Sequence, residues 1–117
     1  MKASKTITIT VDQLLDGKHP PVIVRKLVTA DKGTISIGQI VAISSGKVLP
    51  YIASDQTAGT AFGVATQGVD TATGKDTAVN VLVHGTCKLD AVTVVSGAAP
   101  TATDIAALAA LGIWALN

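Results

Sequence analysis

Large, reactive and charged side chains are all scarce in this chain of 117 residues, which contains one cysteine, one tryptophan, one tyrosine and one phenylalanine. The lone Cys87 excludes a disulfide within the chain. Because aromatic rings are so few, the core must be built mainly from aliphatic side chains, which bury less area each. Hydrophobic residues nevertheless make up 48% of the sequence and charged residues only 15%. Either threonine, serine and glycine cover the surface, or part of the apolar surface meets other subunits, and we expect the second.

Neither sign of charge dominates, since the formal net charge is +1. Such a charge creates no strong field to attract nucleic acid or an anionic membrane. The basic residues concentrate in the first third of the chain, but no aromatic residue lies between them, which argues against stacking on single-stranded nucleic acid. No apolar run approaches the ~20 residues of a membrane-spanning helix. We therefore expect neither direct nucleic-acid binding nor membrane insertion.

Residues with catalytic or metal-binding chemistry form no recognisable constellation. His84 and Cys87 offer a base and a nucleophile, but they stand three apart on a predicted strand, and odd spacing sends side chains to opposite faces unless Gly85 bends the strand. His19 has no partner nearby in sequence, and no spacing matches a zinc site. The segment 70–76 has Ala72 where a calcium loop needs a ligand. The sequence predicts no catalytic residue, no metal site and no cofactor.

Short apolar runs alternate with turn-forming residues along most of the chain. This pattern is typical of a small all-β barrel or sandwich, because β-branched runs favour extended backbone and glycine, serine and aspartate favour turns. The predicted strands are residues 22–28, 40–43, 48–52, 62–66, 77–84, 91–95 and 113–116.

The N-terminal segment has its own alternation of threonine with isoleucine or valine. Isoleucines and Val11 would line one face of an extended strand and threonines the other. The break at residues 12–21, which contains glycine and two prolines, makes this strand a candidate arm, and an ordinary first strand of the sheet is the alternative. The arm residues are Ser4, Lys5, Thr6, Ile7, Thr8, Ile9, Thr10 and Val11.

A helix is predicted near the C-terminus, between Pro100 and Gly112. Thr101 or Thr103 can cap its start, and aspartate in the first turn suits the helix dipole. Ile105, Leu108 and Leu111 would form its apolar stripe. Gly112 is placed to end the helix in a left-handed conformation, so that Ile113 folds back onto Leu108. Leu108, Gly112 and Ile113 are therefore predicted to be structural residues.

From Gly38 onward the order of elements resembles the bacteriophage head decoration, or capsid cement, protein family. Each matching feature is weak alone and specific in combination. The features are the Gly46-Lys47-Val48 turn with Tyr51, then Ala58-Gly59-Thr60-Ala61-Phe62-Gly63-Val64-Ala65, Val69-Asp70, Val81-Leu82-Val83-His84-Gly85, and the close from Thr103-Asp104-Ile105 to Leu111-Gly112-Ile113.

This resemblance implies a mainly β protein, a small β-barrel or β-clip-like domain with one short C-terminal helix and an N-terminal extended arm. Residues 1–20 would be a capsid-binding arm and residues 21–117 the decoration-protein β domain. Such proteins form homotrimers at the threefold positions of an expanded head, where they bind the major capsid protein and hold the shell against internal DNA pressure. The expected location is the exterior of the virion, after synthesis in the host cytoplasm, and no enzymatic activity is expected.

Two other classes of function stay open on the residues alone. One is an oligomeric β-barrel adaptor or tail component of a virion or secretion particle, which would form rings of another symmetry. The other is a small ligand-binding or hydrolytic enzyme, which would need a polar pocket and a role for His84 or Cys87.

Overall fold

The computed structural model describes residues 14–15, 19–52 and 59–116. The longer strands consist mainly of β-branched and other apolar residues. Glycine, serine or aspartate residues form the turns between them. The strands are β1 (Val22–Leu27), β2 (Thr34–Ile35), β3 (Ile40–Ser44), β4 (Lys47–Pro50), β5 (Thr60–Ala65), β6 (Val69–Asp70), β7 (Ala78–Lys88) and β8 (Ile113–Leu116), and the helix α1 (Ala102–Ala110) precedes β8.

The main sheet has the strand order β1-β7-β5-β3-β4, with antiparallel neighbours, and β8 pairs in parallel with the end of β7. β2 and β6 form a separate antiparallel pair. The sheet curls into a half-barrel, because Val28 after β1 bridges to Val48 in β4 at the opposite edge. The Thr29 N–H donates to the Val48 carbonyl at 2.8 Å. The prediction of a mainly β, barrel-like domain with a short helix near the C-terminus is confirmed, and the predicted arm residues lie outside the described residues.

Both faces of the central strands are buried. Successive side chains of a strand point to opposite faces, and both members of each of the pairs Ile40–Val41 and Val64–Ala65 are fully buried. One face packs beneath α1 and forms the helix-side core. The other lies inside the curl and forms the barrel-side core. The helix-side core contains Leu14, Ile40, Val64, Leu82, Cys87, Ala91, Val92, Leu108 and Ile113, and the barrel-side core contains Val28, Ile35, Val41, Val48, Ala65, Val69, Val79 and Val81.

Leu14 connects the N-terminal part of the chain to this packing. Its side chain is fully buried in the helix-side core, and Leu15 packs against the same cluster. Burying a leucine contributes roughly 1.5–3 kcal/mol relative to leaving it exposed. A truncation that tests the predicted arm must therefore stop before Leu14.

The helix begins after Thr101, one of the two residues predicted to cap it. The Thr101 hydroxyl accepts a hydrogen bond from the Asp104 N–H at 3.2 Å, and the Asp104 carboxylate accepts one from the Thr101 N–H at 2.8 Å. This reciprocal pair satisfies two donors that the first turn would otherwise leave unpaired. Leu108 is fully buried on the face toward the core and Ile105 is half-buried. The predicted stripe is wrong at Leu111, which is 41% exposed, because the helix ends before it and Ile113 fills the core instead.

The strand predicted at residues 91–95 does not form. Short 3-10 turns at Leu89–Ala91 and Val95–Gly97 flank a single bridge between Thr93 and Gln39. Ser96 and Gly97 both have positive φ values, +67° and +76°, and they turn the chain away from the sheet. Only Thr93 stays alongside β3, where its N–H donates to the Gly38 carbonyl at 2.9 Å and its carbonyl accepts from the Ile40 N–H at 2.9 Å.

The substitution Leu108→Ala should lower the free energy of unfolding by ~2–5 kcal/mol, because it leaves a cavity in the helix-side core. Leu111→Ala removes the same atoms from a side chain that is 41% exposed and should cost less than about 0.5 kcal/mol. Urea denaturation followed by circular dichroism measures both. Equal losses for the two variants would contradict the placement of α1.

Candidate functional site

His84 and Cys87 lie in different environments. Cys87 is fully buried in the helix-side core, whereas His84 is half-buried at the surface. Leu82 and Cys87 share the helix-side core although they are an odd number of positions apart, so the alternation of β7 is interrupted between them. Gly85, with φ +126°, lies at this interruption. The simple opposite-face argument from the sequence therefore does not apply, and burial instead keeps the thiol from solvent.

His84 belongs to a cluster of rings that the sequence does not reveal. Its ring centroid lies 5.2 Å from that of His19 and 5.7 Å from that of Trp114, and both pairs are edge-to-face. His19 and Trp114 stack with centroids 6.2 Å apart. We call His19, His84 and Trp114 the ring cluster. It joins the chain entering β1 to the middle of β7 and the start of β8, and edge-to-face pairs at these distances contribute about 0.5–1.5 kcal/mol each beyond their buried area.

Exposed aliphatic side chains continue the surface of the ring cluster. Val22 pairs with His84 across β1 and β7 and is 47% exposed. Leu116 stands two positions after Trp114 in β8, so both point to the same face, and they are 37% and 40% exposed. An exposed aromatic residue among apolar neighbours is typical of a protein–protein contact, and tryptophan is enriched among the residues that contribute most to binding.

Two glycines permit the close approach of the elements that carry the ring cluster. The Gly85 N–H donates to the Gly112 carbonyl at 3.0 Å. A Cβ on Gly85 would lie 3.2 Å from the Pro21 Cα, and a Cβ on Gly112 would lie 2.5 Å from the His84 Nδ1. The His84 ring therefore occupies space that any side chain at position 112 would need.

The three residues predicted to be structural lie at the junction of α1 and β8. Gly112 has the predicted left-handed conformation, with φ +89°, and its N–H donates to the Ala109 carbonyl at 3.0 Å. Leu108 and Ile113, on either side of this turn, are fully buried in the same core. The turn thus directs Ile113 inward and leaves Trp114 facing outward beside His84.

The loop at 70–76 uses its carboxylates to hold its own backbone. Asp70 accepts a hydrogen bond from the Ala72 N–H at 3.0 Å, and Asp76 accepts one from the Asp70 N–H at 3.0 Å. The Thr73 hydroxyl and N–H donate to Asp31 at 2.8 and 3.0 Å, and these hydrogen bonds hold the pKa of Asp31 below its ordinary value. Across the ranges that the structure describes, no group of three or more histidine, cysteine, aspartate or glutamate residues is arranged to hold a metal ion.

A groove of about 550 Å³ runs beside the β2–β6 pair. Its lining includes the aliphatic residues Ile35, Ile37 and Val69 and the acidic residues Asp70 and Asp76. Both carboxylates already accept backbone N–H groups. The described lining contains no histidine, cysteine or lysine that would serve as a nucleophile or base. No helix among the described residues is long and apolar enough to cross a membrane.

In the substitution Gly112→Ala, backbone strain should lower the free energy of unfolding by about 1 kcal/mol. The total loss should be larger, because the new methyl group also displaces the His84 ring. Gly74→Ala is the matched control, since Gly74 has φ +85° and no atom within 4 Å of an added Cβ. Only Gly112→Ala should also change the fluorescence of Trp114 in the folded protein. If both variants lost the same free energy of unfolding and the emission spectrum of Trp114 did not change, His84 would not occupy the space beside position 112.

Comparison of the sequence with protein-family models gives no match, and comparison with curated proteins gives none either. The ring cluster and its apolar surroundings are therefore interpreted from their own geometry and from the sequence pattern.

Proposed function

We propose that this protein is a structural component of a bacteriophage virion, a homotrimeric decoration protein. In this proposal it binds the major capsid protein on the outer surface of an expanded head, at threefold positions, and stabilises the shell against the pressure of the packaged DNA. The resemblance of the element order from Gly38 onward to head decoration proteins supports this role. It needs no cofactor, no nucleic-acid contact and no membrane.

The observation that carries the proposal is the exposed apolar surface around Trp114. A chain with one tryptophan places it 40% exposed, beside Val22 at 47% and Leu116 at 37%. Burying apolar surface contributes roughly 25 cal/mol per Å², so leaving these side chains in water is costly unless another surface covers them. Cyclic symmetry covers such a patch on every copy with a single type of contact, and a trimer is the arrangement that we propose.

The predicted arm supplies the second contact of the proposal. Residues 4–11 would add a strand to an exposed sheet edge of the capsid protein, with main-chain hydrogen bonds giving affinity. Ordering a segment costs about 1–2 kcal/mol per residue, so the new main-chain hydrogen bonds together with the burial of Ile7, Ile9 and Val11 must exceed that cost. Three arms on one trimer act together, which raises avidity without new contacts.

The oligomeric state gives the first test. Native mass spectrometry or sedimentation should find three chains of 11.7 kDa each, and Trp114→Ala should shift the population toward monomer, because the central aromatic contact is lost. Val95→Ala is the control, since Val95 is also exposed, at 36%, and belongs to the 3-10 turn at Val95–Gly97 rather than to the ring cluster. A ring with another number of subunits would favour the adaptor or tail component, and a monomer both free and on particles would contradict the trimer.

Binding to heads gives the second test. Full-length protein should pellet with expanded empty heads of the virus that encodes it, and a variant lacking residues 1–11 should stay in the supernatant. The truncated chain keeps Leu14, so its melting temperature and oligomeric state should match those of the full chain. Unfolding of the truncated protein would show that the segment is an integral strand. Undiminished pelleting would exclude the arm from the contact.

A further inference from the structure

Across the ranges that the structure describes, the outer edge of β1 has no strand partner from Ile23 to Lys26, and at its Leu27 end it meets β4 through the bridge of Val28 to Val48. β1 pairs with β7 on one side, and the register runs from Ile23 opposite Leu82 to Leu27 opposite Ala78. The Val28 N–H donates to the Thr77 carbonyl at 3.0 Å, on the β7 side, and the Thr29 N–H donates to Val48, on the other side. Backbone groups alternate sides along an antiparallel strand. The N–H and carbonyl groups of Ile23 and Arg25 therefore point away from β7, toward the open edge. Those of Leu27 also point away from β7, but they face β4, since the next residue, Val28, bridges to Val48.

The same three residues present an exposed side-chain surface. Ile23 is 41% exposed, Leu27 is 56% exposed, and Arg25 between them is exposed. The alternate residues, Val24 and Lys26, point toward the barrel side and are half-buried. An apolar, cationic, apolar sequence of side chains thus lies along this edge. We call Ile23, Arg25 and Leu27 the edge triplet.

The guanidinium of Arg25 has N–H groups that are available to donate hydrogen bonds to a ligand. One of its terminal nitrogens, Nη1, donates to the Asn80 Oδ1 at 3.4 Å, a long hydrogen bond on the exposed surface. A guanidinium carries five N–H donors and forms paired hydrogen bonds with a carboxylate. Lys26 is less free, since its Nζ lies over the Phe62 ring, 5.8 Å from the centroid.

Charge disfavours a second copy of this strand as the occupant. Two copies related by twofold symmetry would pair their β1 strands antiparallel, and pairing centred on the edge triplet then places Arg25 opposite Arg25. Like charges directly opposite each other destabilise a strand pair, and a charge in the middle of an edge strand is a common device against self-association. The predicted arm also suits this edge poorly, because its only charged residue is Lys5.

We propose that the edge triplet binds an extended segment of another protein, one that carries a carboxylate opposite Arg25, an apolar side chain opposite Ile23 and an apolar side chain that packs on the exposed side chain of Leu27. The segment adds a strand to the half-barrel beyond β1, with main-chain hydrogen bonds to the open groups of Ile23 and Arg25. The identity of the partner rests on the proposed function, under which the segment belongs to the major capsid protein. This contact is separate from the arm and adds a second strand-pairing site on each subunit.

Synthetic peptides test the chemistry of the edge without heads. The first peptide has seven residues that alternate threonine and valine with glutamate at the centre, and the second has lysine in place of glutamate. The glutamate peptide, titrated into the full chain at millimolar concentration, should shift the amide NMR signals of Ile23, Arg25 and Leu27. It should bind about fivefold or more tightly than the lysine peptide, as expected for exchanging an attractive cross-strand pair for a repulsive one.

Charge reversal is the decisive variant. Arg25→Glu should lose most of its affinity for the glutamate peptide and gain affinity for the lysine peptide, a reciprocal change that misfolding cannot produce. Ile23→Lys should weaken binding of both peptides. Leu111→Lys is the matched control, because Leu111 has the same 41% exposure and lies at the end of α1 rather than on β1, and it should bind as the unchanged protein does.

The remaining outcomes separate this proposal from the proposed function. Heads that bind Arg25→Glu and Ile23→Lys as tightly as the unchanged protein would overturn the edge site and leave the head-binding role standing. Reciprocal peptide binding at the edge triplet without any binding to heads would support the edge site and overturn the head-binding role. Peptide shifts confined to other strands, self-association abolished by Ile23→Lys, or peptide binding that appears only after removal of residues 1–11 would each overturn the edge site.

Discussion

The close approach of two backbones at Gly85 and Gly112 is the constraint on which the rest of the structure depends. The hydrogen bond between them, at 3.0 Å, starts the parallel pairing of β8 with β7 after α1 has crossed the helix-side core. Positive φ values of +126° and +89° suit glycine at both positions. The turn at Gly112 sends Ile113 into the core, and the absence of a side chain there leaves room for the His84 ring.

Most of the large apolar side chains that stay exposed lie on two strands, β1 and β8. Because the central strands are buried on both faces, the apolar excess of the sequence appears at the strands that lack a covering layer. Of the large hydrophobic side chains that are exposed among the described residues, β1 holds Val22, Ile23 and Leu27, and β8 holds Trp114 and Leu116. The proposed contacts with other subunits would use these two strands, which the ring cluster joins.

Local patterns in the sequence predict most of the strands and the helix, but they do not predict which strands pair with each other. β3, β4, β5 and β7 follow apolar runs bounded by turn residues, and the capping of α1 by Thr101 and the left-handed Gly112 follow from residue type. The segment at 91–95 is apolar enough for a strand, yet the positive φ values at Ser96 and Gly97 allow it only one bridge.

The candidate site escaped prediction for a different reason. His19 meets His84 only because β1 pairs with β7 in one register, and Trp114 joins them only because β8 returns to β7 in parallel. Neither pairing leaves a periodic signal in the sequence, since long-range pairing depends on the whole topology. The edge triplet could not be predicted for the same reason. The sequence shows that Ile23, Arg25 and Leu27 belong to an apolar run that contains a charge, but only the pairing of β1 with β7 shows which way their backbone groups point.

Amide hydrogen exchange on free and head-bound protein tests most directly the central claim, that the exposed β1 surface is where this chain meets its partner. The amides of Val24, Lys26 and Val28 face β7 and should exchange slowly in both states, which makes them an internal reference. The account predicts that the amides of Ile23 and Arg25 exchange quickly in the free protein and slow by an order of magnitude or more on heads, as amides do when they enter a strand ladder. Equally fast exchange of these two amides in both states would contradict it.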